Sequence, residues 1–444
     1  MSSAPAEMAA FTIAQRIAAV RSTAIAWLSR VILAVLDQGL ISGSNFVIGI
    51  LLARWLTPEQ YGAYALAFSI FLLLSQFYTA LLLEPMAVFG GSAYRYRLRG
   101  YLGALLWIHL GGALVVFLVL GIAALVARGL GLGGNLPGAL AAVAVAAPCL
   151  LLFWLVRRGF YLELSPAPAV LGALFYCSLV LGGLFLVYRR GLLSSFTAFV
   201  LMALGALTTS VFLLLLLRPT LQLRKAAPSL RETWQQHWGY GRWALAASVL
   251  LWIPSNIYFP VLSSFSGMGH AGELKALVNL ALPIAHTATA LSMLFQPYAS
   301  RVHHERGAAR LQAFTRKVSW LYAGGAAIYW SLLVLFRHQA VHFLYGGNYE
   351  GLAQLVPWLA LASILQLAIA GPTIGLRAME SPASVFGANF ASSGVAILVG
   401  IPLAWAFGVR GVVLSMMASS LVGLLTAYAL LKRKGKSSAA MVIA

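Results

Sequence analysis

The chain has 444 residues, 61% hydrophobic and 9% charged, with a formal net charge of +20 and two cysteines. A soluble domain is about 25% charged, so this composition excludes a soluble fold and leaves an integral membrane protein. A strongly basic chain could suit nucleic acid, but no loop interleaves basic and aromatic residues as single-strand binders do, and no nucleic-acid partner is expected.

Residues 1–30 contain no apolar core with a cleavage site, so no removable signal peptide is read there. Ile13, Ile17 and Val20 share one helical face, with Arg16 and Arg21 elsewhere, the pattern of an interfacial helix. Stretches of about 20 apolar residues span a bilayer. Twelve follow, at 31–53, 62–83, 101–127, 138–156, 168–188, 195–217, 243–265, 276–297, 318–336, 352–374, 384–406 and 410–431. They are too long, and apolar on too many faces, for membrane strands of about 9–11 alternating residues. The fold class is therefore all-α and polytopic.

With the N-terminus inside, the cytoplasmic segments hold 23 of the 30 Lys and Arg, as the positive-inside rule requires. The polar connection 218–242 divides the chain into an N-lobe, 31–217, and a C-lobe, 243–431, flanked by the interfacial segment 1–30 and a basic tail, 432–444. The lobes read as parallel repeats. Ser44-Asn45 matches Ser255-Asn256 at an offset of 211, Gly62 matches Gly272 at 210, and Glu84-Pro85 matches Gln296-Pro297 at 212. A proline after a polar residue predicts a bent helix end with freed carbonyls, so Glu84 and Gln296 are expected to face each other across a cytoplasmic mouth.

Charges inside a bilayer are costly and are functional candidates by default. Asp37, about two turns into the first span, is read either as a structural partner of Arg30 or a basic loop, or as a cavity carboxylate. Glu84 is read as pairing with Arg95, Arg97 or Arg99, or as a coupling group. Asn45 and Asn256 lie near mid-membrane on the paired first helices, and Asn279 and His286 share a face of the eighth; these four are the substrate-cavity candidates. Pro254 and Pro260 should break the seventh helix. His109 is read as an interhelical hydrogen-bonding group, and Cys149 and Cys177 as packing residues in separate spans. His338 and His342 have the i, i+4 spacing of metal ligands but lack the Glu of a zinc protease motif, so no metal is expected, and no P-loop pattern points to ATP hydrolysis.

"LLARWLTPEQYGAYALAFS" (51–69), "FLYGGNYEGLAQLVPWLALASILQ" (343–366) and "FGVRGVVLSMMASSLVGLLTAYALLKR" (407–433) resemble helix junctions of the Wzx-type polysaccharide flippases, in the multidrug/oligosaccharidyl-lipid/polysaccharide exporter superfamily. The resemblance implies two six-helix lobes with both termini inside a bacterial inner membrane. It implies movement of an undecaprenyl-pyrophosphate-linked oligosaccharide to the periplasmic leaflet by alternating access, without ATP or a cofactor, alongside a polysaccharide polymerase and other assembly proteins. Coupling to protons or to sodium stays open. The pyrophosphate would call for arginines, and the candidates are Arg30, Arg95, Arg97, Arg99, Arg301 and Arg306 at the cytoplasmic mouth, with Gln296, and Arg54 at the far end. No basic residue is placed at a span centre. The alternatives are an ion-coupled multidrug antiporter of the same superfamily and an enzyme, polymerase or ligase, acting on lipid-linked glycans; the short periplasmic loops, with only Glu59, Glu273 and Glu350, argue against the enzyme.

Overall fold

The computed structural model describes residues 4–131, 134–219 and 229–443, and all regular structure among them is helical. The first half holds α1 (Ala4–Trp55), α2 (Pro58–Tyr78), a π turn (Thr79–Leu83), α3 (Glu84–Gly91), α4 (Leu98–Gly129), α5 (Leu136–Leu162), α6 (Ala167–Arg189) and α7 (Ser195–Leu217). The second holds α8 (Leu230–Asn256), α9 (Tyr258–Phe265), α10 (Met268–Asn279), α11 (Leu282–Leu335), α12 (Arg337–Tyr345), α13 (Val356–Ala368), α14 (Ala370–Ala378), α15 (Pro382–Leu398) and α16 (Gly400–Ile443). The side chains of Ile13, Arg16, Ile17, Val20 and Arg21 and residues 220–228 of the expected connection lie outside the described residues. The rest of that connection is not all loop: α8 begins at Leu230.

Local chemistry sets these boundaries. Thr57 caps α2, its hydroxyl accepting the Gln60 N–H, with Pro58 at the first helical position. Ser194 and Thr197 close a capping box on α7, and Ser229 caps α8 by accepting from Glu232 N–H. Nine helices among the described residues are long and apolar enough to cross a membrane, ten if the bent pair α8–α9 counts as one span. The expected twelve are not reached on that criterion for two reasons. α11 runs for 54 residues but leaves helical geometry at Gly307, where φ is 75°, so two helices are joined end to end; and the apolar stretch within α15 is short, Ala383–Leu398.

The break between α8 and α9 bends the chain by 43° and falls between Pro254 and Pro260, as their missing N–H groups predict. The Glu84-Pro85 expectation needs correction. The helix does not end there; it passes through a π turn and runs on to Gly91. Proline 85 cannot donate to the carbonyl of Leu81, four residues back, and the backbone answers with wider i→i+5 bonding, the Glu84 N–H reaching Thr79 O. The freed Leu81 carbonyl accepts from His237 Nδ1 on α8 at 2.9 Å.

α5 is the centre of the first half, with 67% of its apolar window buried against 17% for α4 on the rim. The halves meet where α8 packs on α2, the π turn and α4, and where α2 crosses α10. A Cβ on Gly62 would stand 1.7 Å from Met268 O, and one on Gly272 would stand 2.5 Å from Pro58 O, so the two main chains touch where only glycine fits. The same two glycines are matched in the sequence repeat, which extends further than the punctuation points suggested. Trp107-Ile-His-Leu-Gly-Gly of α4 aligns with Trp320-Leu-Tyr-Ala-Gly-Gly of α11 at an offset of 213. His109 and Tyr322, aligned in this register, each tie a third helix to a second: His109 Nδ1 bonds Tyr78 OH at 2.9 Å and Tyr322 OH bonds Ser292 Oγ at 2.9 Å, the second-helix partners standing one residue out of register.

Candidate functional site

Beneath the α2–α10 crossing, a small pocket is lined by Ile41, Asn45, Phe68, Phe71, Leu72, Leu150, Phe153, Trp154, Tyr176 and Met202. Phe68, Phe71, Trp154 and Tyr176 supply ring faces and edges: Phe68 and Phe71 sit 5.6 Å apart, and Phe71 meets Trp154 edge-on at 5.9 Å. Such faces suit the C–H surface of a sugar ring or any flat apolar group. Asn45 supplies the one amide among these lining residues, consistent with its candidacy.

A charge from the other half lies against Phe68, one of the lining residues. Lys275 of α10 holds its Nζ 4.7 Å from the centroid of Phe68, a cation–π distance, and it has no carboxylate or carbonyl partner among the described residues. It stands one residue before the expected eighth span, so hydropathy leaves it outside the membrane. The signal that could have found it is its spacing of three residues from Gly272, which the repeat matches with Gly62.

Asp37 is 2% exposed, and its partner is neither Arg30 nor a loop. Arg157 of α5 binds it through two nitrogens, at 2.6 and 3.2 Å, and Tyr161 OH donates to it at 2.6 Å. Arg157 also lies 5.1 Å from the Phe153 ring, so the ion pair forms part of the wall behind the pocket. The expected fourth span stopped at 156, one residue short of this arginine; α5 in fact carries it inward to 9% exposure.

The other candidates scatter. Asn279 is buried, donates to Tyr61 OH at 2.9 Å and packs against Gly49; it joins α10 to α1 and α2. Asn256 bonds its own helix at Trp252 O. His286 is exposed on α11, on the other side of the 280–281 break from Asn279. Glu84 is exposed and forms no ion pair with Arg95, Arg97 or Arg99. Those arginines are exposed at the turn between α3 and α4, where Arg95 lies over the Tyr96 ring. Gln296 donates to Ile374 O at 3.4 Å, and no hydrogen bond among those of the described residues joins it to Glu84. Arg301 and Arg306 are exposed on α11, and Arg30 is partly buried on α1. His342 pairs with Glu350 at 2.9 Å on the surface, and among the described residues no three His, Cys, Asp or Glu converge to hold a metal.

No protein-family model matches the sequence, and no curated protein does. Solved structures do. The inward-facing conformation of a multidrug resistance MATE family transporter of the MOP superfamily is similar over 90% of this chain and 96% of its own, with a TM-score of 0.70 and 16% identity. An outward-facing conformation of a multidrug resistance MATE family transporter is similar over 93% and 96%, at a TM-score of 0.61 and 15% identity. A MOP superfamily transporter from Pyrococcus furiosus, described as having a binding pocket of reverse polarity that suggests a different function, is similar over 93% and 96% at a TM-score of 0.63 and 15% identity. This likeness shows the fold: a MATE-like bundle.

Proposed function

We propose that this chain flips a lipid-linked oligosaccharide, carried on a polyprenyl diphosphate, across a bacterial inner membrane by alternating access. The observation that carries the reading is Lys275, a cation held over Phe68 without an anionic partner, beside an aromatic pocket with one amide. An anion approaching the pocket would find a positive charge that no carboxylate among the described residues neutralises, while the rings and Asn45 would take the first sugars. Asp37 does not compete, because Arg157 and Tyr161 occupy its oxygens. That balance favours an anionic substrate over the organic cations of a multidrug antiporter, the second reading that the fold allows.

In this reading both halves of α11, on either side of Gly307, and α15 each cross the membrane, giving twelve spans with both termini inside. The basic connections near Arg95–Arg99 and Arg301–Lys317 face the cytoplasm, where Arg30 and these arginines meet the diphosphate first. The prenyl chain stays in lipid beside α1, whose Val31, Ile32, Val35 and Leu36 are exposed. The likeness is greater to the inward-facing transporter than to the outward-facing one, and the sealed α2–α10 crossing fits a bundle shut at its Thr57 end. Coupling to protons or sodium and work beside a polymerase belong to the same proposal.

The test is reconstitution in liposomes that carry a fluorescent polyprenyl-diphosphate oligosaccharide, with leaflet position read by an impermeant quencher. Wild-type protein is expected to equilibrate the glycan without ATP, and Lys275→Gln to slow it about tenfold or more, the weight of one charge-assisted contact. Absence of glycan movement, together with efflux of a cationic dye, would transfer the assignment to the antiporter.

A further inference from the structure

α1 ends at Trp55, and the last carbonyls of any helix lack partners within it. Two of them are taken by the other half of the molecule. Asn348 Nδ2 donates to Arg54 O at 3.1 Å and to Ala53 O at 3.4 Å, while Arg54 Nη1 donates back to Phe343 O at 3.1 Å. The chain doubles back to make this exchange through Gly346 and Gly347, at φ of 62° and 93°, which a side chain would oppose. The Arg54 stem lies across Gly346. The root of the turn is fixed to its own half, with Tyr345 OH donating to Ala276 O at 2.7 Å. Tyr349 then reaches over to Tyr61, their rings 6.3 Å apart. Its hydroxyl is buried, on a residue 3% exposed, and has no hydrogen-bond partner among the described residues.

We propose that the turn 343–349 is a latch that holds the bundle shut at the Thr57 end, with Asn348 favouring the shut form and the Tyr349 hydroxyl opposing it. The opposition follows from hydrogen-bond accounting. The shut form satisfies the Ala53 and Arg54 carbonyls through Asn348, and it strands a hydroxyl that water would satisfy on opening. A seal with one group for it and one against it is balanced to release, whereas a purely structural junction would satisfy both. The latch rests on the alternating-access reading above.

The experiment reads accessibility, with no substrate present. A reporter cysteine replaces Asn45 in a Cys149→Ser, Cys177→Ser background, and an impermeant maleimide is applied from each side in right-side-out and inverted vesicles. Asn348→Ala should raise labelling from the Thr57 end several-fold, and Tyr349→Phe should lower it below the parent while protein level and thermal midpoint stay within the normal range. Unchanged labelling with Asn348→Ala, or increased labelling with Tyr349→Phe, overturns the latch; increases with both variants reduce the turn to a structural junction. Labelling that responds as expected while no glycan moves sinks the flippase reading alone, and glycan movement with unresponsive labelling sinks the latch alone.

Discussion

At the scale of single residues, Asp37 and Arg157 illustrate how a membrane interior treats charge. Two opposite charges held by charge-assisted bonds can be nearly neutral in net stability, whereas one left alone is not: removing one partner of a buried pair costs about 3–5 kcal/mol. Asp37→Leu and Arg157→Met are each expected to lower the thermal midpoint in detergent sharply, and the double variant to recover most of the loss. A double variant as unstable as the worse single one would show that the pair does more than neutralise itself. Asp37 was legible because it interrupts an apolar run. Arg157 and Lys275 were not, since each stands one residue beyond an expected span, and a hydropathy reading ends its spans at the first charge it meets. Long basic side chains can nonetheless continue inward along apolar neighbours, as Arg157 does against Phe153.

At the scale of elements, prolines and glycines were legible as punctuation but not always as the event they cause. Pro254 and Pro260 give the expected break. Pro85 gives a π turn whose spare carbonyl is handed to His237, and since a carbonyl only accepts, Nδ1 carries the proton and Nε2 accepts from Tyr101 OH at 2.7 Å. His237→Phe leaves the Leu81 carbonyl stranded and should cost about 1–3 kcal/mol. Adding Pro85→Ala restores an N–H four residues on, so the double variant should recover part of that loss in thermal unfolding; no recovery would mean that the carbonyl is not the cause. The α2–α10 crossing makes a sharper prediction. Gly62→Ala drives a methyl into Met268 O, backbone that cannot step aside. It should shift reporter labelling at position 45 toward the Thr57 side without unfolding the protein, and unchanged labelling would show that the crossing is not the seal.

For the whole molecule, composition sufficed for the all-helical class, and three short matches pointed to a repeat. The offset grows from 210 at Gly272 to 212 at Gln296, and between those points Leu280 and Ala281 form the two-residue break between α10 and α11. That insertion moves the register without ending the match, and the aligned His109 and Tyr322 each still bond a second helix, through Tyr78 and Ser292. The candidate site was less legible, because its residues come from both halves: Asn45 and Phe68 from one and Lys275 from the other, and no local motif records their meeting. The charge distribution predicts that reporters fused at Gly346 will be exposed outside the cell and those after Arg99 inside; the reverse result would overturn the orientation.

The contact between Gly62 and Gly272 also bears on how such a molecule responds to temperature. Where main chain meets main chain, separation releases few rotamers and exposes peptide groups in place of hydrocarbon. Apolar exposure raises heat capacity and polar exposure lowers it, so parting at this crossing carries little heat-capacity change. This contact therefore adds less thermal bias to the balance between the two arrangements than an oily contact in its place would.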